Sequence, residues 1–286
     1  MKRQFSIFSI LLFGVFVFVS SCQGCGAKIP DSPEGTVDVV AKEIEKGNPQ
    51  IVWEALPPSY QQDINGLVQQ AAGKFDKELW DKGVSVLKKG TDIAGSKKEF
   101  ILGTPMMGQL KVDQKQLAES WDAVVGLLKV IAESELASVD DLKKFDGGKF
   151  LSGTGKKLVE KGKELRKLAP EDAPKSFADL KVEKVSESGD KASLKVTVDG
   201  KTDTVEMVKV EGRWVPAEMA KEWKEMIAEA KKSIEEMSTE TMAKQKPQLM
   251  MMMAGIEAGM DQLKNASSQA EFDTTVQGLF MGMMPH

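Results

Sequence analysis

The hydrophobic pattern changes its period near residue 180, and this change constrains the fold class more than any other feature. Between residues 180 and 215 apolar side chains alternate with polar ones, with turn sequences at Asp199-Gly200 and Glu211-Gly212. Alternation puts successive side chains on opposite faces of a strand, and two-residue loops of this kind join antiparallel strands. The segment is therefore predicted to form a four-stranded antiparallel meander with one apolar and one polar face. Val185 falls out of phase with its strand.

The rest of the chain is predicted to be helical. Ser32 and Pro33 suit the cap and the first position of an N-terminal helix. Apolar residues recur three and four positions apart on both sides of the meander, as helices require. One such stripe consists of Trp121, Val124, Val125, Leu128 and Ile131. The expected fold is a helix-dominated α+β protein with N-terminal helices, the meander and a C-terminal helical segment.

The same patterns suggest a domain organisation. Residues 32–216 are expected to form one α+β domain with a long helical insertion at about 61–170, and residues 217–286 a methionine-rich helical tail. The glycine-rich segment 147–155 is predicted to be a loop. It lacks the first and last residues of the phosphate-binding pattern, so no nucleotide site is expected there.

The N-terminus has the composition of an export signal. Lys2 and Arg3 precede an apolar run from Phe5 to Val19, and two serines follow it. A positive start, an apolar middle and small residues at the cleavage point are typical of secreted proteins. The run is shorter than the roughly 20 residues that a membrane-spanning helix needs. Residues 1–21 are therefore predicted to be a signal peptide.

The tetrad Val19-Ser20-Ser21-Cys22 resembles the lipobox of bacterial lipoproteins. The resemblance implies cleavage before Cys22, a diacylglycerol on its sulfur and usually a third acyl chain on its amine, with residues 22–31 as a tether. Two or three chains anchor stably, at about 0.8 kcal/mol per buried methylene. By analogy with enteric bacteria, where Asp at the next position retains a lipoprotein at the inner membrane, Gln23 predicts the outer membrane, facing the periplasm or the surface. The alternatives are an ordinary cleaved signal and an uncleaved anchor.

The order of helix and meander carries a second resemblance. Its motifs are Ser32-Pro33-Glu34 at the start of a helix, then Gly189-Asp190, Asp199-Gly200-Lys201 and Gly212-Arg213-Trp214 in the meander. They resemble the nuclear transport factor two-like (cystatin-like) superfamily over residues 32–60 and 176–216. The resemblance implies a curved sheet and covering helices that form a cone for a small apolar ligand. Enzymatic members of the superfamily use Asp, His or Tyr in that cone, but the resemblance assigns no catalytic residue to this chain.

Histidine and cysteine are too scarce for most catalytic chemistry. The one histidine is His286, the last residue, and the cysteines are Cys22 and Cys25. A catalytic triad needs an internal histidine and a zinc site needs clustered ligands, so both are excluded. Lipid on Cys22 would leave Cys25 without an intrachain partner. We expect no cofactor, no catalytic residue and no enzymatic activity, with an enzyme that uses carboxylates alone as an alternative.

Charge argues against nucleic acid as a partner. The chain has 39 Lys and Arg against 43 Asp and Glu, and the leader removes only Lys2 and Arg3, so the mature net charge is −6. Nucleic-acid binders are usually basic. The basic residues nevertheless concentrate in one stretch, which would meet anionic lipid headgroups or form a solvated helix face. They are Lys143, Lys144, Lys149, Lys156, Lys157, Lys161, Lys163, Arg166 and Lys167.

Methionine is concentrated at the C-terminus, where 12 of the 16 methionines lie at or after Met219. Leu249, Met252, Met253, Ile256, Met260 and Leu263 fit one helical face, which leaves Met250 and Met251 nearer the other. Three interpretations stay open: core packing, an adaptable groove for a protein partner or small apolar ligand, and thioether binding of Cu(I). The candidate partner or soft-metal surface comprises Met250, Met251, Met281, Met283, Met284 and His286.

These observations predict a lipid-anchored cell-envelope protein, joined to the membrane through Cys22, that acts as a non-enzymatic binding or interaction module. Copper binding through methionine in the periplasm is the first alternative. Neither prediction identifies the partner.

Overall fold

The computed structural model describes residues 28–109, 113–166 and 180–283 and confirms a helix-dominated α+β fold. Before the sheet come α1 (Pro33–Lys46), α2 (Gln50–Ala55), α3 (Pro58–Ala72), α4 (Lys77–Ser96), α5 (Lys98–Leu102), α6 (Pro105–Gln109), α7 (Gln114–Ala132), a 3₁₀ turn (Glu135–Ala137), α8 (Val139–Leu142), α9 (Gly147–Phe150), a π-helical segment (Leu151–Gly155) and α10 (Lys156–Arg166). After it come α11 (Ala217–Glu235), α12 (Thr239–Asn265) and α13 (Gln269–Met283). Among the described residues, none of the helices combines the length and the apolar character needed to cross a bilayer.

The sheet is the predicted four-stranded antiparallel meander. It consists of β1 (Lys181–Ser188), β2 (Lys191–Val198), β3 (Lys201–Val210) and β4 (Arg213–Pro216), in the order β1-β2-β3-β4. Both two-residue turns, Asp199-Gly200 and Glu211-Gly212, have positive φ at both residues, as the primed turns of tight hairpins require. The out-of-phase Val185 lies where the β1–β2 register shifts between Lys184 and Ser186, so it marks a β-bulge.

The chain divides into two compact units. Among the described residues, the sheet unit comprises 28–71 and 144–236, and the helical unit comprises 72–143 and 237–283. These boundaries differ from the predicted ones, since most of the helical insertion and most of the C-terminal tail belong to one unit. The physical reason is that α4, from the insertion, packs lengthwise against α12, from the tail.

In the sheet unit, α1 covers the apolar face of the meander. The Ser32 side chain accepts a hydrogen bond from the Gly35 amide and caps the helix, as predicted, and Val37 packs against the sheet core. That core consists of Ala192, Leu194, Val196, Val205, Met207 and Trp214. The opposite face is polar, with a hydrogen bond from Ser193 to Glu206 across β2 and β3. The predicted division into an apolar and a polar face is therefore present.

The segment 147–155 is helical, and the prediction of a loop there was wrong. α9, the π-helical segment and α10 follow one another without a break. Asp146 caps α9 by accepting from the Lys149 amide, and the indole of Trp53 packs over Gly147, where a Cβ would lie 2.3 Å from the ring. The glycines permit a close approach of the helix backbone to Trp53, and they do not mark a turn.

Candidate functional site

The residues that the sequence singled out are covered unequally by the structure. Cys22, Met284 and His286 lie outside the described residues. Met250 and Met251 lie in α12, and the backbone of Met281 and Met283 belongs to the last turns of α13. The candidate site therefore lies in the helical unit, where contacts with α4 orient α12.

Ion pairs with α4 fix the rotation of α12. Lys246 Nζ lies 2.9 Å from a carboxylate oxygen of Asp76 and 2.8 Å from one of Glu78. About three turns further along α12, Glu257 forms an ion pair with Lys82. The Glu257 carboxylate also accepts a hydrogen bond from the Ser85 hydroxyl. Because residues 246, 250 and 257 share one face of a helix, these pairs turn that face towards α4.

This rotation decides which methionines are exposed. Met250 is half-buried on the α4 side, whereas Met251 is 77% exposed and Met252 is 50% exposed. The hydrophobic pattern predicted that Met250 and Met251 lie nearer the outer face and Met252 on the inner one. In the structure Met251 is exposed as predicted, but Met252 is exposed and Met250 is half-buried. The hydrophobic pattern alone misses this, because four consecutive methionines carry no periodicity and the ion pairs that set the rotation come from residues far apart in sequence.

The α12–α13 hairpin directs the backbone of the end of α13 towards the methionine-rich part of α12. A three-residue connection joins the helices, so they run antiparallel, and Gly259 of α12 lies directly under the Leu279 side chain of α13. From Leu279, α13 continues to Met283, about 6 Å at 1.5 Å per residue. Its last turn is thus level with the α12 residues near Gly255, and α13 runs towards Met251 and Met252. There is no room for a side chain at position 259, because a Cβ there would lie 2.1 Å from Leu279 Cδ2.

A second exposed apolar surface lies on α7. Val124 and Leu128 are each 41% exposed and Ile131 is 36% exposed, and they occupy successive turns of one helix face. We call these three residues the α7 stripe. The adjacent face of α7 packs on α4, where the indole of Trp121 donates to the Ala94 carbonyl at 2.8 Å. The sequence predicted the helix and placed these residues in one apolar stripe, without separating the packed residues from the exposed ones.

One signal in the sequence would have revealed the second face. The apolar residues of α7 cover more than half of its circumference, whereas a helix packed on one side needs an apolar arc only a little wider than 100°. The polar remainder includes Glu119, Asp122 and Lys129. A helix of this kind has apolar surface left over after it has packed against one neighbour.

The helical unit buries few large side chains. All three clusters of buried apolar residues found among the described residues lie in the sheet unit. In the described part of the helical unit, the large apolar side chains that are fully buried are Ile93, Val139, Leu142 and Phe272. Most other apolar side chains there are half-buried. This unit consequently keeps apolar surface available for contacts outside itself.

The described carboxyl groups with shifted pKa values are all shifted downward. The Leu79 amide and then Lys246 lower the pKa of Asp76, while Lys82 and then Ser85 lower the pKa of Glu257. The pKa values of Glu43, Glu211 and Glu271 are lowered as well. A carboxylate-only enzyme needs an acid of raised pKa, and these groups have the opposite character.

Among the residues that the structure describes, no three His, Cys, Asp or Glu side chains lie close enough together to hold a metal ion. No protein-family model matches the chain, and no curated protein and no solved structure matches it either. The two family resemblances of the sequence therefore stay predictions, and the function has to be argued from the exposed surfaces.

Proposed function

We propose that the protein is a lipid-anchored protein of the bacterial cell envelope that binds an apolar partner through its helical unit. The basic start, the apolar run and the lipobox-like tetrad that ends at Cys22 support the anchor. The observation that carries the binding role is the α7 stripe, Val124, Leu128 and Ile131, exposed on a helix whose adjacent face is already packed. No reaction is assigned to the protein.

The energetics favour coverage of this stripe. Removing apolar surface from water contributes about 25 cal/mol per Å², and an exposed row of branched side chains has no polar group to desolvate. Residues three and four positions apart form a straight apolar row, which suits a partner helix or an elongated acyl or apolar ligand. The other exposed pair, Met251 and Met252, adds flexible side chains of the type that adapts to different partners.

Site-specific photocrosslinking in the envelope tests the binding role. A photoreactive residue at Leu128 is expected to form an adduct, and Val124→Ser with Ile131→Ser is expected to abolish it. Both substitutions are at exposed positions, where changes usually alter stability by about 0.5 kcal/mol or less. The matched control is Val185 on the sheet, which is 63% exposed. Equal adducts from positions 128 and 185, or an adduct that survives both serine substitutions, would contradict the proposal.

Radiolabelled palmitate tests the anchor separately. We expect the label on the wild-type chain and none on Cys22→Ser, with the unlabelled variant released from the membrane fraction. Cys25→Ser is the control and is expected to keep the label. A wild-type product that carries no label would contradict the anchor but would leave the α7 experiment interpretable.

A second candidate function is Cu(I) binding, and the α12–α13 hairpin favours it. Thioether sulfur is a soft ligand that suits Cu(I). The hairpin directs the end of α13, with Met281 and Met283, towards the exposed Met251 and Met252, and Met284 and His286 follow in the sequence.

Replacing methionine with leucine tests copper binding without changing side-chain volume. Met251→Leu with Met252→Leu is expected to weaken Cu(I) binding in a competition titration, and Met281→Leu, Met283→Leu and Met284→Leu to abolish it. Met219→Leu with Met226→Leu, in the sheet unit, is the control. Unchanged affinity in all three variants would exclude this candidate.

A further inference from the structure

One exposed face of the sheet unit is rich in lysine and carries four lysines around one exposed carboxylate, Glu160. It lies on the helical stretch from α9 to α10 and consists of Lys149, Lys156, Lys157 and Lys163, which we call the lysine face. Val159 and Gly162 of α10 are buried. Lys149, Lys157 and Lys163 are exposed and Lys156 is half-buried, so the lysine face borders the buried side of α10 and is open to solvent.

The four lysines differ from their basic neighbours in having no ion pair. Lys161 pairs with Glu164 at 3.1 Å, and Arg166 lies 3.5 Å from a carboxylate oxygen of Glu45. In the described part of the chain, no carboxylate oxygen comes within 4.0 Å of the amino groups of the lysine face. With Glu160 counted, this face keeps a net positive charge that attracts an external anion.

The chain joins the sheet unit close to this face. Ile29 packs against the cluster formed by Ile44, Ile51 and Val159, and Val159 belongs to α10 itself. The next residues are held as well, since the Trp214 indole donates to the Asp31 carbonyl at 2.9 Å. The point from which the tether departs is thus fixed on the α10 side of the unit.

The length of the tether limits how far this side can lie from a bilayer. Six residues lie between Cys22 and Ile29, so seven Cα-to-Cα steps join them, and an extended chain spans at most about 3.6 Å per step, or roughly 25 Å. Acyl chains on Cys22 would hold Ile29, and α10 with it, within that distance of the headgroups. Attraction between lysines and an anionic surface acts over about one Debye length, close to 8–10 Å. This distance is shorter than the maximum reach of the tether.

We propose that the lysine face binds the anionic headgroups of the bilayer to which Cys22 is anchored, and so sets the orientation of the sheet unit on the membrane. The proposal rests on the proposed lipid anchor. The partner is a lipid surface rather than an acidic protein, because the tether brings that surface to this side of the unit.

Amine footprinting of the full lipidated chain in vesicles tests this proposal. The vesicles contain phosphatidylcholine alone or phosphatidylcholine with phosphatidylglycerol, and acetylation of each lysine is read by mass spectrometry. We expect roughly fivefold slower labelling of the lysine face in the anionic vesicles, restored by high salt. Lys181 and Lys201, exposed on the sheet, are the internal controls and should label equally in both.

A variant that removes three positive charges from the lysine face provides a second test. Lys156→Gln, Lys157→Gln and Lys163→Gln should remove the protection of Lys149, whereas Lys181→Gln with Lys201→Gln should leave it intact. Equal labelling of the lysine face in the two vesicle types would overturn the proposal, as would protection by a soluble acidic protein or nucleic acid without protection by vesicles. Palmitate incorporation distinguishes failure of the orientation proposal from failure of the proposed lipid anchor. Labelled protein with unprotected lysines overturns the orientation alone, and absence of palmitate overturns the anchor and the orientation together.

Discussion

At the scale of single residues, Tyr60 is the most informative side chain, because it is the only tyrosine in the chain. Its ring stacks on Trp223 with centroids 3.8 Å apart and planes 5° from parallel. Trp223 in turn donates from its indole nitrogen to Asp63 at 3.0 Å. The pair joins α3 to α11 in the cluster that also contains Leu56 and Ile227.

Burial raises the pKa of Tyr60 above its ordinary value of 10.0, and the nearby charges of Glu211 and then Asp63 raise it further. Below that ordinary value the hydroxyl is protonated in both folded and unfolded chains, so it does not affect the pH dependence of stability. Above it the unfolded chain loses the proton more readily, so stability falls as pH rises through the raised folded-state pKa.

We therefore predict that phenolate absorbance will appear at higher pH in the folded protein than in the unfolded one, as a single transition. Tyr60→Phe keeps the stacked ring and removes the proton, so its unfolding free energy should fall less than that of the wild type above pH 10. Ultraviolet titration and urea unfolding measure the two effects. A folded-state transition at the unfolded pKa would contradict the assignment.

At the scale of elements, the α12–α13 hairpin depends on the absence of a side chain at one position. Gly259 is buried, and a Cβ there would lie 2.1 Å from Leu279 Cδ2 and 2.7 Å from Leu279 Cγ. Gly255, one turn earlier in the same helix, has nothing within 4 Å of a Cβ. The two glycines differ in packing but share the same helix, which makes them a matched pair.

Gly259→Ala is predicted to destabilise the helical unit by about 1–3 kcal/mol, because Leu279 and its helix must move. Gly255→Ala is predicted to stabilise it by about 0.5–1 kcal/mol, because alanine loses less entropy than glycine in a helix. Urea unfolding followed by circular dichroism compares them. Similar effects of the two substitutions would mean that α13 does not pack on α12 at Gly259.

At the scale of the whole molecule, the helical unit is assembled from two distant parts of the chain, 72–143 and 237–283. The contacts that join them include the pairs of Lys246 with Asp76 and Glu78, and a 2.8 Å pair between Lys89 and Asp261. Neither part has a substantial buried core of its own, since Ile93 and Phe272 come from different parts and few other large side chains are buried.

A chain ending at Glu236 is therefore predicted to lose the fold of residues 72–143 as well as the tail. Limited proteolysis should cleave within 77–132, which spans α4 to α7 in the intact protein, while 180–216 stays protected. The control is a chain ending at Met283, which keeps α12 and α13 and should resist cleavage as the full chain does. Protection of 77–132 in the shorter chain would show that this segment folds without the tail.

Sequence and structure agree where local signals are strong. The meander was predictable, because alternation and two positive-φ turns specify strands and their pairing locally, and even the bulge at Val185 appears as a break in phase. The segment 147–155 was misread because the glycines needed for close contact with Trp53 look the same in sequence as the glycines of a loop.

The amino-acid sequence by itself determined the fold class, the sheet and the scarcity of histidine and cysteine, since each of these depends on residue types or on neighbours close in the chain. The tertiary structure alone decided that insertion and tail form one unit, that Met252 rather than Met250 is exposed, and that the α7 stripe remains uncovered. Those outcomes depend on ion pairs and packing between helices that are separate in the sequence, with residues 27 positions apart for α7 and 170 apart for Lys246 and Asp76, which no local period encodes.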